Sequence, residues 1–149
     1  MELQFFGANC LKVTTKKTTI VIDDILADLG KSSITKAGNV RIFTSDSPKK
    51  DVEGSFVIAQ PGEYEIADIS VTGVPAQAHI DEPGTHNNTM YRITVDDLRM
   101  AVVGNIDPKL SEGQLEALGI VDILVVPVGG NGITLDGVGA LQVIKAIEP

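Results

Sequence analysis

The stretch Leu110–Gly130, LSEGQLEALGIVDILVVPVGG, carries two structural periods side by side. In its first half Ser111 stands where a helix N-cap is needed, and Gln114 follows three residues later. At that spacing a cap hydroxyl and a backward-reaching glutamine satisfy each other's backbone N–H groups. Leu110 and Leu115 flank the cap as a hydrophobic staple, and Gly119 is a residue that tolerates a left-handed helix end. The spacing therefore predicts a helix between Ser111 and Gly119. In the second half, VDILVVPV is a nearly unbroken apolar run, the pattern of a strand covered on both faces. A helix that leads directly into such a strand points to an α/β fold.

Downstream, GGNGITLDG reads as a loop. VGALQVIKAI then places Val138, Leu141 and Ile144, with Ala140 and Ile147, at helical spacing, and Pro149 follows at once. Upstream, the pattern is one of short strands and tight turns. ELQFF is a strand, and CLKVTT and TTIVID flank Lys16-Lys17 as a hairpin. ILADLGKSSITKAG is a loop with a helical turn. VRIFT, SFVIA and YEIADISVTGV read as extended, the last with a turn at Asp68. MYRITV and LRMAVVG flank Asp96-Asp97. Tyr91, Ile93 and Val95 share one face and lie opposite Leu98, Met100 and Val102, as in a half-buried hairpin. The order is thus many strands, then helix, strand, helix. A strand followed by a helix commonly leads to a further parallel strand, and here the chain stops first. Either the last helix is the edge of the fold, or the chain is an incomplete version of a longer one.

The bulk composition narrows the function classes. At 149 residues the chain has room for one ordinary domain with a core, expected to span residues 1–149. It is 43% hydrophobic but only 4% aromatic and lacks Trp, so Ile, Val, Leu and Ala must build the core. The net charge of −8 argues against bulk electrostatic binding to nucleic acid or to an anionic membrane. The single cysteine, Cys10, excludes an intrachain disulfide and fits a reducing cytoplasm. MELQFF lacks the basic region and apolar run of a signal peptide, and no apolar stretch is long enough to span a bilayer.

Taken in order, FFGANCLKV…TIVIDD, PGEYEIADISVTGVPAQAH, NTMYRI and LSEGQLEALGIVDILVVPVGG resemble the metallo-β-lactamase fold superfamily. The nearest branch is its small zinc-dependent hydrolase-like proteins with a Pro-Gly-Glu-Tyr-Glu segment. The resemblance implies an α/β fold, an αββα sandwich of two mixed sheets with outer helices, with metal at one edge. Measured against that pattern, the C-terminal strand-helix portion is missing. In the pattern the loop after an early strand reads His-x-His-x-Asp-His; here it reads SDSPKK. Ser45 and Ser47 stand at the first two histidines, and Lys49 and Lys50 at the aspartate and last histidine. His79 fits the next ligand. Asn105, after Gly104, replaces a further aspartate. Catalytic zinc needs about three nitrogen, sulfur or carboxylate ligands and an open water position. Hydroxyls are poor ligands, and a protonated lysine repels a cation. The resemblance therefore implies zinc in intact relatives, while the residues imply no metal here and no way to make a metal-bound hydroxide. Lys49 and Lys50 are expected to supply positive charge in the metals' stead, neutralising carboxylates such as Asp23 or Asp46.

Other readings are weaker. His79, Asp81, Glu82 and His86 in HIDEPGTH are legitimate metal ligands, but their spacing matches no known site and Pro83-Gly84 marks a solvated turn. Ser47 and Lys50 formally make Ser-x-x-Lys, which needs a helix beneath it that Pro48 opposes. GGNG lacks the Gly-Lys-Ser/Thr of a phosphate loop, although relatives carry a similar turn near their active edge. Nothing local gives Cys10 the basic or helix-N-terminal setting of a reactive thiol, and it reads as a small buried residue. Asp23 and Asp24 alternate faces and do not converge. The expectation is a hydrolase-family protein that has lost metal-dependent catalysis and serves as a binding or scaffold protein. The alternative is a hydrolase of a phosphoester, lactone or amide that uses a rearranged site or residues beyond the chain end. The expected partners are a second copy of the chain, to cover an edge left by the missing strand, and a small anionic ligand near Lys49 and Lys50.

Overall fold

A computed structural model describes residues 1–45 and 52–149 of the chain, in two units, Met1–Ala59 and Gln60–Pro149. The expectations for Ser47, Lys49 and Lys50 fall outside the described residues.

The first unit is one mixed sheet. β1 (Glu2–Gly7), β2 (Cys10–Thr14) and β3 (Thr19–Ile22) pair antiparallel in sequence order. Ala8 and Asn9 close the first hairpin at φ of 48° and 65°. A two-residue turn needs this left-handed pair to match the right-handed twist of its strands. The exposed Lys16-Lys17 turn is held by Thr15, whose hydroxyl accepts from Thr18 N–H at 3.0 Å. β4 (Val40–Ile42) and β5 (Phe56–Ile58) then add in parallel, giving the order β1-β2-β3-β4-β5.

The crossover from β3 to β4 contains the expected helical turn, Leu26–Leu29 in 3-10 form. Asp24 organises it. Its Oδ2 accepts from Ser33 Oγ at 2.7 Å, from the N–H groups of Ile34 and Thr35 at 3.0 Å each, and from Thr35 Oγ1 at 2.6 Å. Burial works against the Asp24 charge, but these donors outweigh it and hold the carboxyl below its ordinary value. Asp23 faces another partner: it accepts from the Thr44 N–H at 2.7 Å and the Thr44 hydroxyl at 2.6 Å. The two adjacent carboxylates therefore serve separate anchoring roles.

The second unit starts with a meander. β6 (Gly62–Ile66), β7 (Ile69–Ala76), β8 (Asn88–Val95) and β9 (Leu98–Val102) pair antiparallel in turn. The β6–β7 turn uses Ala67 and Asp68, and the β8–β9 turn Asp96 and Asp97, all at left-handed φ. Tyr91 faces Val102, Ile93 faces Met100 and Val95 faces Leu98, the predicted register. The hairpin is more deeply buried than predicted: the alternate residues Met90, Ala101 and Val103 are also fully buried.

Two helices follow as predicted. α1 (Glu112–Leu118) has a complete capping box: Gln114 N–H donates to Ser111 Oγ at 3.2 Å and Ser111 N–H donates to Gln114 Oε1 at 2.9 Å. α2 (Gly137–Ile147) is capped by Asp136, whose carboxylate accepts from Gly139 N–H at 2.8 Å. Leu118 of α1 and Ala140 and Val143 of α2 join Val74, Met90 and Val103 of the sheet region in one buried cluster. Arg92 ties the end of α1 to the sheet, donating to Leu118 O at 2.9 Å and Thr72 Oγ1 at 3.1 Å.

One expectation needs correction. VDILVVPV yields only a three-residue strand, β10 (Ile123–Val125), parallel to β9 at the edge of the sheet, and its residues are half-buried. An edge strand has one neighbour in the sheet and Pro127 cannot donate to a ladder, so a fully covered strand does not form. The predicted helix α2 forms, with its apolar positions divided between core and surface. Ala140 and Val143 point inward, while Val138, Leu141 and Ile144 remain 77%, 50% and 41% exposed.

Candidate functional site

The second unit gathers its chemistry where the chain after β7 meets the chain after β9. Ala78 and Ile106 form an isolated antiparallel bridge. Asp107 N–H donates to Gln77 O, and His79 N–H donates to Asn105 O, both at 2.9 Å. Asn88 Nδ2 adds a bond to the same Asn105 carbonyl at 3.1 Å. The fold thus brings together His79 and Asn105, two of the residues expected at the site. Backbone pairing does this, which neither residue type signals by itself.

Beside His79 lies a cavity of about 410 Å³. Its wall includes the Gly130-Asn131-Gly132 turn, Thr134, Asp136 and Gln142. Gly130, Asn131 and Gly132 sit at φ of 72°, 57° and 74°, consecutive left-handed positions that explain why glycines flank the asparagine. Thr134 braces this turn by accepting from Gly130 N–H at 2.9 Å. A Cβ on Gly129 would stand 2.8 Å from Thr134 Oγ1, so the brace requires glycine there. The GGNG loop therefore borders a cavity with His79, although it carries no phosphate-loop signature.

Thr134, Asp136 and Gln142 were not singled out as site residues from sequence. Asp136 had a readable signal, an aspartate just before a helical pattern, which is an N-cap cue. Thr134 and Gln142 had none, because their nearness to His79 spans more than half a hundred residues of chain. Of the remaining expected residues, Ser45 lies in the first unit, and Ser47, Lys49 and Lys50 lie outside the described residues.

A second, larger groove, of about 700 Å³, runs along α1 and is bordered by His86, Pro83, Asp107 and Lys109. His79 and His86 thus line different cavities. Among the described residues no group of three His, Cys, Asp or Glu side chains could hold a metal ion. In this structure HIDEPGTH does not bring three such side chains together.

The comparisons bear on this geometry. Residues 2–149 match the family model described as a beta-lactamase superfamily domain. The chain belongs to that family. As a β-lactamase superfamily domain it shares its fold with several solved structures. One is a candidate Zn-dependent hydrolase of the metallo-β-lactamase superfamily from Thermotoga maritima, at 24% identity and TM-score 0.76, covering 98% of this chain and 70% of that one. A candidate metal-dependent hydrolase from Parabacteroides distasonis aligns at 17% identity and TM-score 0.74, over 99% of this chain and 78% of that one. A metallo hydrolase from Ignicoccus hospitalis aligns at 17% identity and TM-score 0.64, over 99% and 78%. Comparison with curated protein sequences gave no match. The expected α/β architecture of the metallo-β-lactamase superfamily, with two mixed five-stranded sheets and two helices, is thus the observed one.

The family fold implies a metal, and the described residues around this cavity do not make up a donor set that fits one. His79 is the one imidazole in its cavity, and its neighbour Asn105 carries no charge. Asp136, the one carboxylate among the described residues of the cavity wall, is already engaged in capping α2. One imidazole and one capping carboxylate fall short of the three ligands that a catalytic zinc ion needs.

Proposed function

We propose that this β-lactamase superfamily domain does not carry out metal-dependent hydrolysis and acts instead as a binding protein, with the cavity beside His79 as its ligand seat. The observation that supports this most is the pairing of His79 with Asn105, where the family pattern would have a histidine and an aspartate. The cavity offers hydrogen-bonding groups, Asn131 and Thr134 on a braced turn and Gln142 on α2. Such walls suit recognition of a small polar molecule. The sequence adds a second ligand class: the ammonium groups of Lys49 and Lys50 would attract a small anion. A cytoplasmic setting is part of this reading. No helix among the described residues is long and apolar enough to cross a membrane.

One observation favours the rival reading of a rearranged metallohydrolase. His79 Nδ1 is buried with no hydrogen-bond partner among the described residues, and Asp81 Oδ2 shares that condition. A buried imidazole nitrogen without a donor or acceptor is costly, and a ligand or ion could relieve it.

Metal content and hydrolysis separate the two. The protein is dialysed against zinc, desalted, analysed by plasma mass spectrometry and assayed on chromogenic esters and phosphodiesters. Binding without catalysis predicts substoichiometric zinc, no turnover, and no change in either on His79→Ala. Stoichiometric zinc that disappears in His79→Ala, with matching loss of hydrolysis, would overturn it. For the anion, phosphate binding should weaken with salt and vanish when Lys49 and Lys50 are both changed to alanine.

A further inference from the structure

We propose that the outer edge of β1 is a homodimer interface, where β1 of a second copy adds antiparallel around a two-fold axis at Gln4. This goes beyond the ligand-binding reading and does not depend on it.

An unpaired sheet edge is a template for another strand, and proteins guard such edges with shortness, charge or proline. Among the described strands, β5 and β10 are edges of only three residues. β6 follows Pro61 and carries Glu63 and Glu65 along its length. β1 has none of these guards. It runs for six residues, contains no proline, and carries one charge, Glu2, at its end.

Its side chains match the backbone argument. Leu3 pairs in register with Val13, and Phe5 with Leu11, so each pair shares a face of the sheet. Val13 and Leu11 are 0% and 6% exposed, whereas Leu3 and Phe5 are 40% and 70% exposed. An apolar face that is buried on β2 therefore continues onto β1 and ends in water.

The proposed register is self-complementary. A two-fold axis through Gln4 sets Leu3 opposite Phe5 of the second copy, and Phe5 opposite its Leu3, on that same apolar face. On the other face it sets Glu2 opposite Phe6 of the second copy. The Lys12 ammonium lies 5.3 Å from the centroid of the Phe6 ring. Each Glu2 carboxylate thus meets the Lys12 ammonium of the other chain, and the pair occurs twice, as two-fold contacts require. The charge complementarity and the apolar pairing select the same register, so the occupant is a second copy of this chain.

Light scattering and sedimentation equilibrium on the whole chain at high micromolar concentration should give twice the 15.7 kDa chain mass. Glu2→Lys should weaken dimerisation at least about tenfold, since it brings like charges together at both ends of the seam. Lys12→Glu should do the same, and the double reversal should restore the dimer. Phe5→Asp, at a position exposed enough to leave the fold intact by circular dichroism, should give monomer. Gln4→Cys should form an interchain disulfide on the axis under mild oxidation, with the buried Cys10 left reduced. A monomer across the micromolar range would overturn the proposal. So would a dimer whose dissociation constant is indifferent to Phe5→Asp and to both charge reversals.

Discussion

Cys10 lies buried against Val21 and Leu26, with Phe6 and Ile34 packed on the same cluster. Burial pushes its thiol up from an ordinary 9.0 to about 12, and the nearby Asp24 and Asp23 charges add to the rise. The nucleophile is the thiolate, so at neutral pH the side chain is inert. Native protein should leave Ellman's reagent unreacted at pH 8, and urea should expose one thiol per chain. The sign of the pH effect follows from proton counting. Between about pH 9 and 12 the unfolded chain loses the thiol proton and the native chain keeps it, so stability falls as pH rises through that window. Cys10→Ala should flatten that alkaline slope in urea titrations taken at successive pH values. Cys10 as a small buried residue was legible in sequence; its acidic neighbours were only half so. Asp24 holds a loop through Ser33 and Thr35, a contact between residues nine and eleven positions apart with no periodic signature.

At the scale of elements, the turns show what local chemistry can and cannot specify. The α1 cap was readable because Ser111 and Gln114 interact within one helical turn. The hairpin turns were readable in place, at Lys16-Lys17, Asp68 and Asp96-Asp97, but less so in their strain. Ala67 adopts φ of 50° without a side chain that could hydrogen-bond locally. Left-handed backbone costs an L-residue about 1–2 kcal/mol, and asparagine tolerates it better. Ala67→Asn should therefore raise the unfolding free energy by about 0.5–1 kcal/mol in urea titration, and Ala67→Val should lower it. The Pro-Gly-Glu-Tyr-Glu segment also gains a physical meaning. Gln60 O accepts from Tyr64 Oη at 2.8 Å, and Gly62 bridges the two at φ of 147°. A Cβ on Gly73 would approach Gln60 O and Tyr91 Cε1 to 3.0 Å, so β7 needs its glycine to admit this segment. The apolar run VDILVVPV misled because hydrophobicity reports the environment a segment prefers and not how many strand neighbours it has.

For the molecule as a whole, the antiparallel meander was legible and the parallel additions were not. Adjacent hairpins announce themselves through turn residues and alternation. The order β3-β4-β5 is set across two long connections, of which no local pattern speaks. The candidate site was legible to the same extent. His79 and Asn105 emerged through resemblance, while the cavity wall from Thr134 to Gln142 required the chain to close on itself. The contrast between tight hairpins and long connections has a kinetic consequence. Closing a two-residue turn costs far less chain entropy than docking a strand across a long crossover, and local contacts form sooner. In pulse-labelled hydrogen exchange during refolding, the amides of the tight hairpins β1–β2, β6–β7 and β8–β9 should gain protection before those that pair β4 with β5. The tight hairpins would then form early, and the parallel half of the N-terminal sheet would set the overall refolding rate.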